Sequence, residues 1–201
     1  MATTATPYGL RPVKRADGMA YSGATSTYLI DPAGIAENIF YGSVVKTLAT
    51  GYISLALGTG KDLTTNNLGG SSLTALGVFV GCEYINTEGQ SIHSQYYPTG
   101  TTGVVKCKIV DDPNVIFQCQ LDAVSGQDDV FSVVAFAAGQ HATTSGSTST
   151  GNSTMAVDAT VQQTTGAFKL MGFASATDDA FPDVFVKFNP GYHAYNTAVG
   201  I

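Results

Sequence analysis

Carboxylates, histidines and cysteines are the residues of this 201-residue chain that could do chemistry, and the carboxylates form the most suggestive pattern. The aspartates include three adjacent pairs, at 111–112, 128–129 and 178–179. Acid–base catalysis by two carboxyl groups requires that they converge on one atom, whereas neighbouring side chains of an extended chain point to opposite faces. None of the pairs alone therefore predicts a catalytic dyad.

The stretch DDPNVIFQC at 111–119 combines one of these pairs with a proline and an apolar run. Pro113 disfavours a helical conformation at Asp112, and Asp and Asn side chains bond nearby backbone amides in turns. The β-branched and aromatic residues that follow favour a strand. We interpret DDPN as a β-turn that leads into the strand VIFQCQL. The alternatives are a catalytic pair and calcium bridging by the carboxylates.

The histidines do not form a local metal-binding or catalytic motif. His93, His141 and His193 are far apart, and none lies in a spacing that would place two ligands on one helical face. We therefore predict no enzymatic activity, no metal and no cofactor. The alternative is a small β-barrel hydrolase, whose pocket would bring His93 or His193 within hydrogen-bonding range of Asp112 or Asp179.

The cysteines and the glycine-rich stretch GTGKDLTT also have simple structural interpretations. Cys82, Cys107 and Cys119 are an odd number, which favours buried, reduced thiols over a closed disulfide framework. The stretch at 58–65 has the glycines and the lysine of a phosphate loop, but its spacing is wrong and Asp62 follows the lysine. A glycine-rich hairpin loop is predicted there.

The composition limits the partners that the chain could bind. Its formal charge is −6 and its pI is about 4.7, which argues against a nucleic-acid partner because phosphate binding needs clustered Lys and Arg. Arg11, Lys14 and Arg15 form a local exception near the start. No run of about 18 apolar residues suggests a membrane span, and the first residues lack the apolar segment of a signal peptide. We expect synthesis in a cytoplasm and no membrane partner.

Short apolar runs separated by turn residues predict an all-β fold, a β-sandwich or barrel of jelly-roll-like form. The predicted strands lie within 27–30, 38–48, 52–57, 76–85, 90–98, 103–110, 114–121, 130–137, 167–174 and 183–188. Residues 28–201 are expected to form a single domain, with one short helical turn at 31–38 and a mobile Ser/Thr/Gly loop at 139–154. The Pro- and Gly-containing residues 1–27 are expected to form an extended N-terminal arm that becomes ordered against a partner.

Several stretches, taken in order, resemble small virion proteins of tailed bacteriophages that are encoded beside the major capsid protein, including those of marine and cyanobacterial phages. The similarity lies in TPYGLRPVKR at 6–15, NIFYGSVVK at 38–46, LGVFVGCEYI with SQYYPTG within 76–100, IVDDPNVIFQCQLDA at 109–123 and FPDVFVKFNPGYH at 181–193. Proteins of this family are thought to act as head decoration or cement proteins.

The resemblance implies a virion protein without catalysis that binds the outer surface of an icosahedral capsid, often as a trimer, and bridges neighbouring major capsid subunits. Within the predicted arm, the residues expected to contact the capsid are Tyr8, Arg11, Pro12, Lys14 and Arg15. An alternative keeps the protein in the virion but moves it to the tail or neck, as a structural or adhesion component whose tyrosines could stack on glycans.

Overall fold

The computed structural model describes residues 4–56, 75–136, 146–160, 166–177 and 179–196, and it confirms the predicted all-β body. Two antiparallel sheets pack as a sandwich. The described strands are β1 (Arg11–Arg15), β2 (Ser26–Ile30), β3 (Val44–Thr47), β4 (Ile53–Leu55), β5 (Ala75–Ile85), β6 (Ser91–Ser94), β7 (Val105–Val110), β8 (Val115–Gln120), β9 (Val133–Val134), β10 (Phe168–Phe173) and β11 (Asp183–Phe188). Each of the ten predicted runs overlaps one of these strands, and β1 is the strand that was not predicted.

The strand order differs from the chain order in both sheets. The first sheet has the order β1-β8-β11-β10-β9, so its members come from both ends of the chain. The second sheet has the order β2-β7-β5-β3-β4, and β6 pairs with the end of β5. The turn at 111–114 carries the chain from β7 in the second sheet to β8 in the first, which confirms the interpretation of DDPN. Asn114 N donates to Asp112 Oδ1 at 2.8 Å, the side-chain bond expected of an Asp-initiated turn.

Apolar residues cover both faces of the second sheet. Val44 and Val78 face the first sheet and join the larger core, which also contains Phe117 and Phe168. Their neighbours, such as Val45, point the other way into a second apolar cluster. The sheet is curled, so that its two end strands, β2 and β4, have Cα atoms within 8 Å of each other. This curvature encloses the second cluster. A strand that is buried on both faces needs a nearly continuous apolar run, which explains the sequence of β5.

Residues 9–15 belong to the body, which corrects the prediction that 1–27 is an arm outside it. β1 pairs antiparallel with β8, and Leu10 is completely buried in the core between the sheets. Gly9 and Gly42 have φ angles of +76° and +89°, and a Cβ on Gly42 would lie 2.9 Å from Leu10 N. The two chain segments cross at a distance that only glycine permits. Pairing along β8 and burial of Leu10 therefore order this segment without a partner.

Two further predictions also differ from the structure. No helix forms at 31–38, because Ala33 N donates to Asp31 Oδ1 and Gly34 N to Asp31 O, which makes an Asp-initiated turn. The part of the predicted mobile loop that is described, 146–154, is a hydrogen-bonded turn in which Ser147 N donates to Asn152 O and Ser153 is buried. Residues 139–145 lie outside the described residues. In the described parts of the chain, no helix is long and apolar enough to span a membrane.

Candidate functional site

The outer face of the first sheet carries a row of lysines, which we call the basic row: Lys14, Lys187 and Lys169. In the strand register Lys14 and Lys187 are both opposite Ile116, and Lys187 is opposite Lys169. The alternate residues of β11 are buried in the core, so the side chain of Lys187 faces away from it. Three of the nine basic residues of an acidic protein thus lie on one sheet face, with Lys187 beside Lys169 and with Ile116 between Lys187 and Lys14.

The lysines of the basic row form no ion pair in the described part of the chain. Among the described residues, no carboxylate oxygen lies within 4.0 Å of any of the three ammonium groups; the recorded ion pairs join Arg15 to Asp17 and Asp112. Lys14 Nζ lies 4.8 Å from the centre of the Phe185 ring, and Lys187 Nζ donates to Asn114 Oδ1. Like charges directly opposite each other in a sheet are destabilising. These lysines are therefore available to pair with an acidic partner.

Phe131 is an exposed aromatic residue beside this row. Its side chain is 64% exposed, and its φ of +72° makes it the only non-glycine residue with a positive φ among those described. The backbone is held there because Phe131 N donates to Leu170 O at 2.8 Å, next to Lys169. A large side chain in this conformation costs about 1–3 kcal/mol, and such strain concentrates at functional positions. Phe131 thus has the properties of an interface anchor.

The five residues predicted to contact a capsid make different local contacts. Lys14 belongs to the basic row, whereas Arg15 is paired with Asp17 and Asp112 at 3.3 and 3.4 Å. The Arg11 guanidinium lies 4.3 Å from the Tyr41 ring centre and 5.9 Å from that of Tyr8. Tyr8 donates to Asp183 Oδ1, and Pro12 pairs in register with the buried Phe117.

The sequence interpretation missed Lys169, Lys187 and Phe131 as candidate contact residues. Alternation within FKLMGF and DVFVKF could have placed each lysine on the outer face of its strand. This alternation could not have shown that β10 and β11 are neighbours, or that β1 lies two strands from β11, because strand order is a long-range property. No local signal marks the left-handed backbone of Phe131, since that conformation is rare for a bulky residue.

No described hydrogen bond joins the Asp and His residues considered for an enzyme. Asp112 binds Arg15, and Asp179 is buried. His193 is fully buried, accepts a hydrogen bond at Nδ1 from Tyr195 N, and packs against the Phe188 and Tyr195 rings. Burial lowers the pKa of His193. His93 lies on a different strand, β6, where it is exposed. Within the described residues, no group of three or more His, Cys, Asp or Glu side chains could hold a metal ion.

Asp111, from the same DDPN turn, anchors a cluster with two tyrosines. Tyr28 and Tyr195 both donate hydrogen bonds to Asp111 Oδ2, at 2.7 and 2.6 Å. Burial alone would raise the pKa of Asp111, but the hydrogen bonds from Tyr195, Tyr28 and Ser26 lower it on balance. The cluster joins β2, the turn after β7 and the segment that contains Tyr195, so its evident role is structural.

This cluster predicts a pH-dependent contribution to stability. A carboxyl group whose folded pKa is lowered stabilises the fold above its unfolded pKa, and this stabilisation is lost as the pH falls through the folded value. Asp111→Asn should therefore lower the free energy of unfolding at pH 7 by about 1–2 kcal/mol. Its deficit relative to the wild type should shrink below about pH 4.

Urea unfolding of both proteins between pH 7 and pH 3 measures this difference. Asp31→Asn is a useful control, because Asp31 is also a turn aspartate that accepts a backbone hydrogen bond but contacts no tyrosine hydroxyl in the described residues. A constant deficit of Asp111→Asn across the pH range would contradict the assignment to the ionised carboxylate.

The three cysteines are free and buried, as predicted. Burial raises the pKa of the Cys82 thiol to about 12, so the reactive thiolate is scarce at neutral pH. Burial likewise raises the pKa values of Cys107 and Cys119. These side chains act as small apolar residues of the two cores.

The fold and the surface together define a β-sandwich protein with an exposed basic row and an exposed aromatic residue. Comparison with protein-family models, with curated protein sequences and with solved structures finds no match to any of them. A functional assignment for this chain thus depends on its own residues and on the resemblance described above.

Proposed function

We propose that this chain is a structural protein of a phage virion that binds the outer surface of the icosahedral capsid. It stabilises the shell by bridging neighbouring major capsid subunits, and it acts as an oligomer, with a trimer favoured. The resemblance to head decoration proteins supplies this hypothesis. The observation that carries it further is the basic row, because three lysines on one sheet face, without an ion pair among the described residues, suit an acidic protein surface.

The arrangement of the row supports protein binding better than nucleic-acid binding. The chain carries −6 overall, so a long polyanion would be repelled by most of its surface while a limited acidic patch would be attracted by the row. Phe131 adds an exposed ring beside the lysines, and aromatic residues are enriched at the centres of interfaces. Several copies on a symmetric shell would convert modest single contacts into high avidity.

The first test is to count copies of the chain in purified virions of a phage that encodes it. Quantitative mass spectrometry should give a ratio to the major capsid protein near unity or a simple fraction of it. Mild heating should weaken the particles as the chain is released. A handful of copies per particle would contradict shell decoration and favour the tail or neck. Absence of the chain from virions would overturn the proposal altogether.

The second test concerns the basic row itself. The double substitution of Lys169→Gln and Lys187→Gln should weaken binding to chain-free shells by about tenfold. The loss should be larger at low salt, because the attraction between opposite charges is less screened there. Co-sedimentation over a range of salt concentrations measures this loss.

Lys46→Gln is unsuitable as a control because that lysine is buried. Lys106→Gln is suitable, since Lys106 is exposed on the other sheet. Equal losses in the two proteins would refute a specific role for the row.

A further inference from the structure

A groove lies between the edge of the first sheet and the exposed part of the second. Arg11 of β1 forms one wall, and residues of β5, β6 and β7 form the other, including Gly81, His93 and Lys108. The cavity has a volume of about 450 Å³. A register shift between Phe79 and Gly81 distorts β5 here, and Gly81 has a φ of +148°. Bulges of this kind redirect side chains next to binding sites.

The described lining of the groove includes the cationic side chains of Arg11 and Lys108. None of the described residues that line it is Asp or Glu, and neither Arg11 nor Lys108 has a described carboxylate oxygen within 4.0 Å. The Arg11 guanidinium lies 4.3 Å from the centre of the Tyr41 ring, which restricts its orientation. A guanidinium fixed in this way offers a planar pair of donors, the geometry that a carboxylate accepts best.

We propose that this groove binds a carboxylate side chain of an acidic peptide segment, with Arg11 and Lys108 as its ligands. Val80 and Cys82 supply an apolar lining that suits the methylene groups of such a side chain. A sugar acid would need an open aromatic face for stacking, but Arg11 already lies over the Tyr41 ring. This inference rests on the proposed function in one respect only: it takes the peptide to be an acidic segment of the shell partner.

Titration with defined peptides tests the groove directly. The probe is an acetylated and amidated peptide of sequence Gly-Gly-Glu-Glu-Gly-Gly, and the control peptide has Gln in place of Glu. With ¹⁵N-labelled protein, the Glu peptide should shift the amide resonances of Gly81 and Ser94, and the Gln peptide should not. Equal shifts with both peptides would overturn the proposal. Stronger shifts from an oligogalacturonate than from the Glu peptide would overturn the choice of a peptide ligand.

Two matched substitutions on one strand separate the groove from general electrostatics. Lys108→Gln should weaken binding of the Glu peptide by about tenfold, the expected loss of a charge-assisted hydrogen bond. Lys106→Gln removes the same charge two residues away, outside the groove lining, and should change the affinity by less than about twofold. Arg11→Gln should resemble Lys108→Gln. Circular dichroism and thermal unfolding establish that each variant is folded.

The outcomes distinguish this inference from the proposed function. If the wild type binds both shells and the Glu peptide, and Lys108→Gln weakens both, the groove is part of the shell contact. If Lys108→Gln binds shells and the Glu peptide as tightly as the wild type, the groove inference is refuted while the proposed function stands. If the wild type does not bind shells, the proposed function fails, and the peptide titration still decides whether the groove binds carboxylates.

Discussion

Replacing Phe168 by alanine is expected to lower the free energy of unfolding by about 3–5 kcal/mol. Phe168 is completely buried at the centre of the core between the sheets. Its ring centre lies 4.7 Å from that of Phe136 in an edge-to-face arrangement and 5.2 Å from that of Phe188. The substitution removes these contacts and leaves a cavity that the two surrounding sheets cannot fill, because both are fixed by their hydrogen bonds.

Urea unfolding followed by circular dichroism gives the magnitude. Phe131→Ala is the matched control, because it makes the same substitution at an exposed position. It should change the free energy of unfolding by less than about 1 kcal/mol. A loss below about 1 kcal/mol for Phe168→Ala would contradict the packing described for this core. The total free energy of unfolding of such domains is about 5–15 kcal/mol, so the expected loss is a large fraction of the stability.

Replacing Phe131 by glycine should weaken shell binding by about thirtyfold or more without reducing the stability of the protein. Glycine adopts a φ of +72° without strain, which should favour the folded state by about 1–2 kcal/mol. The greater freedom of glycine in the unfolded chain offsets about 0.5–1 kcal/mol of this gain. The loss of binding follows from removal of an exposed aromatic anchor, for which about 2 kcal/mol or more is typical.

Co-sedimentation with shells and thermal unfolding measure the two effects separately. Phe131→Ala should lose shell binding to a similar extent but should not relieve the backbone strain. Comparing the two variants therefore separates the effect of the side chain from the effect of the backbone conformation. This prediction depends on the proposed function. Unchanged shell binding by both variants, with binding by the wild type intact, would exclude Phe131 from the contact. A marked fall in the melting temperature of Phe131→Gly would contradict the strain argument.

The position of β1 changes how the N-terminal residues can be tested. Deletion of residues 1–15 would remove an edge strand of the first sheet and the buried Leu10 together with any contact residues. Loss of binding by such a truncation would not distinguish a lost contact from a damaged core. Substitutions of exposed side chains, such as those proposed for the basic row and the groove, leave the sheet pairing in place.

The sequence by itself determined the all-β class and the positions of most strands, including β8 and the turn before it. These features depend on neighbouring residues: apolar alternation, β-branched and aromatic runs, and turns that begin at Asp or Pro. The same local information failed at residues 9–15. Their glycine and proline resemble those of a flexible arm, and only the crossing with Gly42 and the pairing with β8 show why they are needed.

Only the tertiary structure decided where the candidate contact residues meet. The basic row combines Lys14 from the start of the chain with Lys169 and Lys187 from near its end, and the groove combines Arg11 with Lys108. The Asp111 cluster joins Tyr28 and Tyr195 in the same way. Each set combines segments that are close in space but distant in sequence. Strand order depends on how whole sheets cover each other's apolar faces, and no local pattern of residues encodes it.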